Sequence, residues 1–116
     1  MGLFTKKNTA SSSGGNSYLK ISMTKDGAEY TFLLEGRLDT FTSPDLESKI
    51  NEVIGDATKL TLDFAKLDYI SSAGLRVLLG TLQEMEGKGE MVVCNLTQPV
   101  HDIFELTGFG RLFNIE

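Results

Sequence analysis

One cysteine is all this sequence contains, and a lone thiol cannot close a disulfide within the chain. Cys94 stands in the apolar run MVVC, where a buried, reduced and unreactive side chain is expected. Histidine is as scarce, with His101 alone. Neither residue recurs at the spacings that build structural zinc sites, so no metal is expected. No Gly-x-x-x-x-Gly-Lys-Ser/Thr stretch is present, which argues against independent NTP hydrolysis. The Gly-x-Ser-x-Gly elbow is missing too. His101 belongs to a distant helical segment, so nothing marks a serine triad, and no catalytic residue is expected. No apolar run reaches the length of a membrane span. The opening MGLFTKKNTASSSGGNS lacks the apolar core of a secretory signal, so a cytoplasmic protein is expected. MGLFTK narrowly misses a myristoylation signal, because position six is Lys6. Positive charge is short as well, with 11 Lys and Arg against 16 Asp and Glu and a net charge of −5. An acidic chain lacks the clustered cations that replace counterions on nucleic acid, so no nucleic-acid partner is expected.

What is present is enough for one compact body. The chain has 116 residues, 41% of them hydrophobic, which suits a single domain with a modest core. Residues 1–17 are rich in Ser, Gly, Asn, Thr and Lys and read as a flexible tail. Phe4 beside Lys6 and Lys7 is too little for stable membrane attachment. The domain is placed at 18–116. YLKISMT (18–24) alternates as a half-buried strand does. Lys25-Asp26-Gly27 gives a turn, and AEYTFLLEG (28–36) completes an antiparallel hairpin. Residues 36–42 are read as a loop containing Arg37 and Asp39.

Ser43-Pro44 marks a helix start, with Ser43 accepting an orphan N–H. Leu46, Ile50, Val53 and Ile54 form its apolar face, and Gly55 is placed to close it. LTLDF (60–64) returns to period two and is followed by a loop. Leu75, Leu78, Leu79 and Leu82 predict a second helix ending near Gly87-Lys88-Gly89. EMVVCNL reads as a central strand covered on both faces. Pro99 opens a third helix with Val100, Ile103 and Phe104, ended near Gly108, and residues 112–115 add an edge strand. Strands separated by helices imply parallel pairing through right-handed crossovers. The fold class is therefore α/β: a mixed, mostly parallel sheet of four or five strands with an N-terminal antiparallel hairpin and flanking helices.

Candidate function concentrates in DYISSAGLRVLL (68–79). It puts two hydroxyls where a strand-and-loop unit turns into a helix, the end of an open α/β sheet at which ligands and partners gather. Ser71 and Ser72 read in two ways. A helix N-cap serine satisfies an orphan N–H for about 1 kcal/mol. Alternatively, a serine there accepts phosphate, whose charge of about −1.5 to −2 is tolerated by the helix N-terminus while altering the surface a partner meets. Gly74 reads as a close backbone approach or a relaxed first turn.

GRLDTFTSPDLESKI, LDFAKLDYISSAGLRVLL and GEMVVCNLTQPVHDIFELTGFGRLFNI together resemble the STAS family, specifically bacterial anti-sigma factor antagonists, across essentially all of 18–116. The resemblance implies a mixed sheet flanked by helices and a non-enzymatic role without cofactors. It implies partner switching: the unphosphorylated domain binds an anti-sigma factor that is also a serine kinase, phosphorylation of one serine ends the interaction, and a PP2C-type phosphatase restores it. The family's acceptor lies two residues before the glycine of a Gly-Leu pair, which points to Ser72. The familiar Asp before the acceptor and Ser or Thr after it are here Ser71 and Ala73, so Ser71 stays a rival. Asp39 matches the family's Gly-x-Leu-Asp segment beside the switch surface. With Ser71, Ser72, Gly74 and Arg76 it forms the expected partner-binding set; helix-entry hydrogen bonding is the alternative reading of Asp39, and a solvated first-turn side chain is the alternative for Arg76. Two other functions fit the pattern: a constitutive STAS subunit of a phospholipid-transport ATPase or other signalling assembly, and a small-molecule or nucleotide sensor.

Overall fold

The computed structural model describes residues 18–116, and the expected tail over 1–17 lies outside them. Strands β1 (Leu19–Asp26) and β2 (Glu29–Leu38) pair antiparallel. Their turn uses Gly27 at φ 63°, a conformation that costs glycine no Cβ clash. Along β2 the alternation is strict, with Tyr30, Phe32, Leu34 and Leu38 all buried. The strand runs two residues past Gly36, so Arg37 and Leu38 belong to it and the loop is confined to 39–42. Gly36 misleads because it resembles a loop opener. Its actual task is steric: it has φ 113°, and a Cβ there would collide with the Tyr18 carbonyl, which accepts from the Arg37 N–H at 2.7 Å.

Helix α1 (Ser43–Asn51) follows, burying Leu46 and Ile50. Two details of its ends differ from expectation. Ser43 does not accept an orphan N–H; it is buried in the first turn, and its hydroxyl donates to the Asp39 carbonyl. Gly55 does not close the helix, which ends at Asn51 with Glu52 as its C-cap and passes through turns to Asp56. Gly55 has no positive φ, so the C-terminus is completed by ordinary backbone bonds such as Ile54 N to Ile50 O at 2.9 Å.

Strand β3 (Lys59–Ile70) is the largest departure. The period-two pattern stops at Phe64, and a loop was expected beyond it. The strand instead continues to Ile70, because its pairing with β2 shifts register twice, between Leu33 and Glu35 and between Gly36 and Arg37. Each shift inserts a residue, as a bulge does. The buried positions then move from Leu60, Leu62 and Phe64 to Leu67 and Ile70, a spacing of three that hides the strand from a periodicity test. Asp63 supports the first irregularity, accepting from the Ala65 N–H at 3.0 Å.

Helix α2 (Ser72–Met85), strand β4 (Glu90–Cys94), helix α3 (Gln98–Thr107), a 3-10 turn (Phe109–Arg111) and strand β5 (Asn114–Ile115) complete the chain. The sheet order is β1-β2-β3-β4-β5, parallel after the first pair. Strand β4 therefore lies next to the edge and not at the centre, yet Met91, Val92 and Val93 are all buried as its apolar run requires. Crossovers that step repeatedly in one direction place their helices on one sheet face. There α1, α2 and α3 share a single core with the in-phase strand residues. Phe64 and Phe104 meet edge to face at 6.5 Å, and Phe104 packs on Phe113 at 5.9 Å. Because Phe64 is fully buried under α3, Phe64→Ala should lower unfolding free energy by about 3–5 kcal/mol, measured by chemical denaturation.

Candidate functional site

Parallel pairing brings the carboxyl ends of β2 and β3 together. Leu38 lies opposite Ile70, and the Ser71 N–H donates to the Leu38 carbonyl at 2.8 Å. Two chain turns leave this edge side by side: residues 39–42 into α1, and Ser71 into α2.

The paired serines are placed differently. Ser71 is the N-cap, extended at φ −98° and ψ 175°, and its Oγ accepts from the Gly74 N–H at 3.3 Å. Its carbonyl accepts from the Leu75 N–H at 2.9 Å. Ser72, the first residue of α2, is exposed. Its hydroxyl makes no hydrogen bond among the described residues, so it is neither consumed by the fold nor hidden from an enzyme.

Gly74 explains how the helix can start so near the sheet. A Cβ there would lie 2.8 Å from Leu38 Cγ, 2.9 Å from Ile70 Cγ1 and 3.0 Å from the Leu38 carbonyl oxygen. The last contact is backbone and cannot rotate away. Glycine is thus required by close approach, and Leu75 beside it is buried in the core.

Asp39 is a loop organiser. Its Oδ1 accepts from the Phe41 N–H at 2.9 Å and the Thr42 N–H at 3.1 Å. Thr42 Oγ1 closes the turn, accepting from the Asp39 N–H at 2.9 Å and donating to the Arg37 carbonyl at 2.8 Å. Arg37 Nε lies 3.9 Å from Asp39 Oδ2, with the guanidinium over the Tyr69 ring at 4.3 Å. The carboxylate is nearly buried, which is the helix-entry role the sequence also allowed. Arg76 projects into solvent one turn beyond Ser72 and forms no ion pair among the described residues.

Two further residues of the loop escaped the sequence reading. Thr42 looks like any polar loop residue. Phe41 is an aromatic 78% exposed; the only signal for it was an isolated ring in the polar setting DTFTS, which periodicity passes over.

Other chemistry is remote. His101 sits 3.8 Å from Asp102 on its own helix and bonds neither serine among the described residues. Burial, followed by the carboxylates of Asp63 and Glu116, pushes the half-buried Cys94 thiol up, so at neutral pH it stays protonated and weakly nucleophilic. Among the described residues no group of three His, Cys, Asp or Glu side chains could hold a metal, and no helix is long and apolar enough to cross a membrane.

The STAS domain family model matches residues 20–116. This chain belongs to the STAS family. BtrV of Bordetella bronchiseptica, assigned as an anti-sigma factor antagonist, is 33% identical over 99 residues, covering 84% of this chain and 85% of BtrV. The anti-sigma F factor antagonist of Paenibacillus polymyxa is 30% identical over 100 residues, with 84% and 86% covered. Among solved structures, an anti-sigma factor antagonist from Mycobacterium paratuberculosis superposes with a TM-score of 0.78 at 21% identity, covering 84% of this chain and 85% of its own. The Bacillus cell fate determinant SpoIIAA in its phosphorylated form gives 0.65 at 22%, with 85% and 91% covered. At such identities the structures establish the shared fold.

In this STAS domain the two serines should respond differently to truncation. Ser71→Ala removes the cap and should cost about 1 kcal/mol, whereas Ser72→Ala should stay within about 0.5 kcal/mol of the parent in parallel denaturation curves. Gly74→Ala should destabilise by about 1–3 kcal/mol, because overpacking forces α2 away from Leu38.

Proposed function

We propose that this STAS domain is an anti-sigma factor antagonist working by partner switching in the cytoplasm, with Ser72 as the phosphate acceptor. Unphosphorylated, it binds an anti-sigma factor that is also a serine kinase, and so frees the sigma factor. The kinase transfers the γ-phosphoryl group of ATP to Ser72 Oγ; the hydroxyl proton leaves and ADP is the second product. Loss of affinity follows, and a PP2C-type phosphatase hydrolyses the ester to reset the domain. The domain contributes no catalytic step. The relatives' names support the pathway, and the division of labour between the serines supports the acceptor. Ser71 is committed to the helix cap, while Ser72 is exposed with an uncommitted hydroxyl.

Electrostatics explains why such a switch need not reshape the protein. A phosphate on the first residue of α2 lies beside unpaired helix N–H groups and the positive end of the helix dipole, which tolerate it. A partner surface matched to a neutral hydroxyl does not. An interface penalty of about 2.8 kcal/mol already lowers affinity roughly a hundredfold. Asp39 and Gly74 contribute by fixing the two turns that carry this surface, and Arg76 and Ser71 flank the acceptor.

Incubation with the cognate kinase and ATP, followed by site mapping, tests the assignment. Ser72→Ala should abolish incorporation, and undiminished labelling would move the acceptor elsewhere, with Ser71 the first candidate. Ser72→Asp should weaken binding roughly a hundredfold at an unchanged melting temperature. Full affinity in that variant would instead favour a constitutive STAS subunit.

A further inference from the structure

We propose that Phe41 is the apolar anchor of the switch surface, seated in an apolar pocket of the protein that binds unphosphorylated Ser72, with an acidic rim facing Arg76. This rests on the partner-switching reading and adds to it a residue and the chemistry of the complementary site.

Three observations carry the assignment. First, the ring serves nothing inside the molecule: it is 78% exposed, although a buried aromatic is among the largest apolar contributions a side chain can make. Second, its backbone is held fast. Asp39 Oδ1 accepts from the Phe41 N–H at 2.9 Å, and Thr42 ties the same turn to the Arg37 carbonyl at 2.8 Å. A ring carried on a fixed turn loses little freedom on binding, which is how a pre-organised anchor gains affinity. Third, it leaves the same sheet edge as the acceptor. Phe41 is three residues past Leu38, and Ser72 is one residue past Ser71, whose N–H bonds the Leu38 carbonyl at 2.8 Å. Aromatic side chains in the desolvated centre of an interface dominate binding energy. A charge added next to such a seat must be desolvated with it, so the anchor amplifies the effect of one phosphate. Arg76, exposed one turn from Ser72, makes an acidic rim the matching surface.

Leu106 supplies the contrast. It is still more exposed, at 87%, but it sits near the end of α3, which starts beyond the carboxyl end of β4 and runs back toward the opposite end of the sheet.

The test uses the kinase that labels Ser72, titrated without ATP against the full chain. Phe41→Ala should weaken binding at least tenfold while the melting temperature holds within a degree or two. Phe41→Leu should fall between, and Leu106→Ala should match the parent. Parental affinity in Phe41→Ala, with Ser72→Asp still impaired, overturns the anchor and leaves the switch standing. If Ser72→Asp also binds fully, the switch itself fails. An equal loss in Leu106→Ala overturns the anchor as a specific contact. Independently of any variant, the Phe41 ring resonances should shift strongly on complex formation, and unchanged resonances would overturn the proposal.

Discussion

The geometry of this domain depends on how closely the first turn of α2 rests on the ends of β2 and β3. Leu38 is the common support. Its carbonyl accepts the Ser71 N–H, its side chain fills the space against Gly74, and its strand partner Ile70 closes the other side. Any side chain at position 74 would meet backbone, so the contact exists only because that residue is glycine. Once the contact forms, Leu75 reaches the core, Ser71 turns its oxygen to the helix, and Ser72 is left outside.

A second constraint comes from β3. Twelve residues of strand with two register shifts carry the chain past the point where strict alternation would have ended. The shifts change which side chains face the helices, and they align Ile70 with Leu38. Without the first shift the phase of burial set by Leu60, Leu62 and Phe64 would point Leu67 away from the core, and the second shift returns the strand to that phase at Ile70. Thr97 adds a tie from the other side, its hydroxyl donating to the Leu67 carbonyl at 2.6 Å, so the start of α3 is referred to the same strand.

The two turns at this edge are built in different ways and serve one surface. Residues 39–42 are stiffened from within, by a carboxylate and a hydroxyl that satisfy the turn's own N–H groups. The α2 entrance is stiffened from outside, by its contact with a neighbouring strand. Each leaves side chains exposed, Thr40 and Phe41 in one case and Ser72 in the other. Stability and recognition are thus divided between adjacent residues: Asp39 and Thr42 hold while Phe41 projects, and Ser71 and Gly74 hold while Ser72 projects.

Most of the element order was legible in the sequence, because it depends on local rules: alternation in β1 and β2, an Asp-Gly turn, apolar stripes in three helices and Pro at two helix starts. The resemblance carried by DYISSAGL reached the family and the pair of serines. Local rules failed where a residue's role is set by a neighbour distant in sequence. Gly36 looked like a loop because the passing Tyr18 carbonyl is invisible from its own segment, and β3 looked short because bulges are defined only against a partner strand. Ser71 and Ser72 are chemically identical, so composition and spacing left capping and exposure open to both. The sequence by itself determined the types of element and the place of the hydroxyls. The tertiary structure decided which hydroxyl is free, because the helix register that separates them is set by the fit of Gly74 against Leu38 and Ile70.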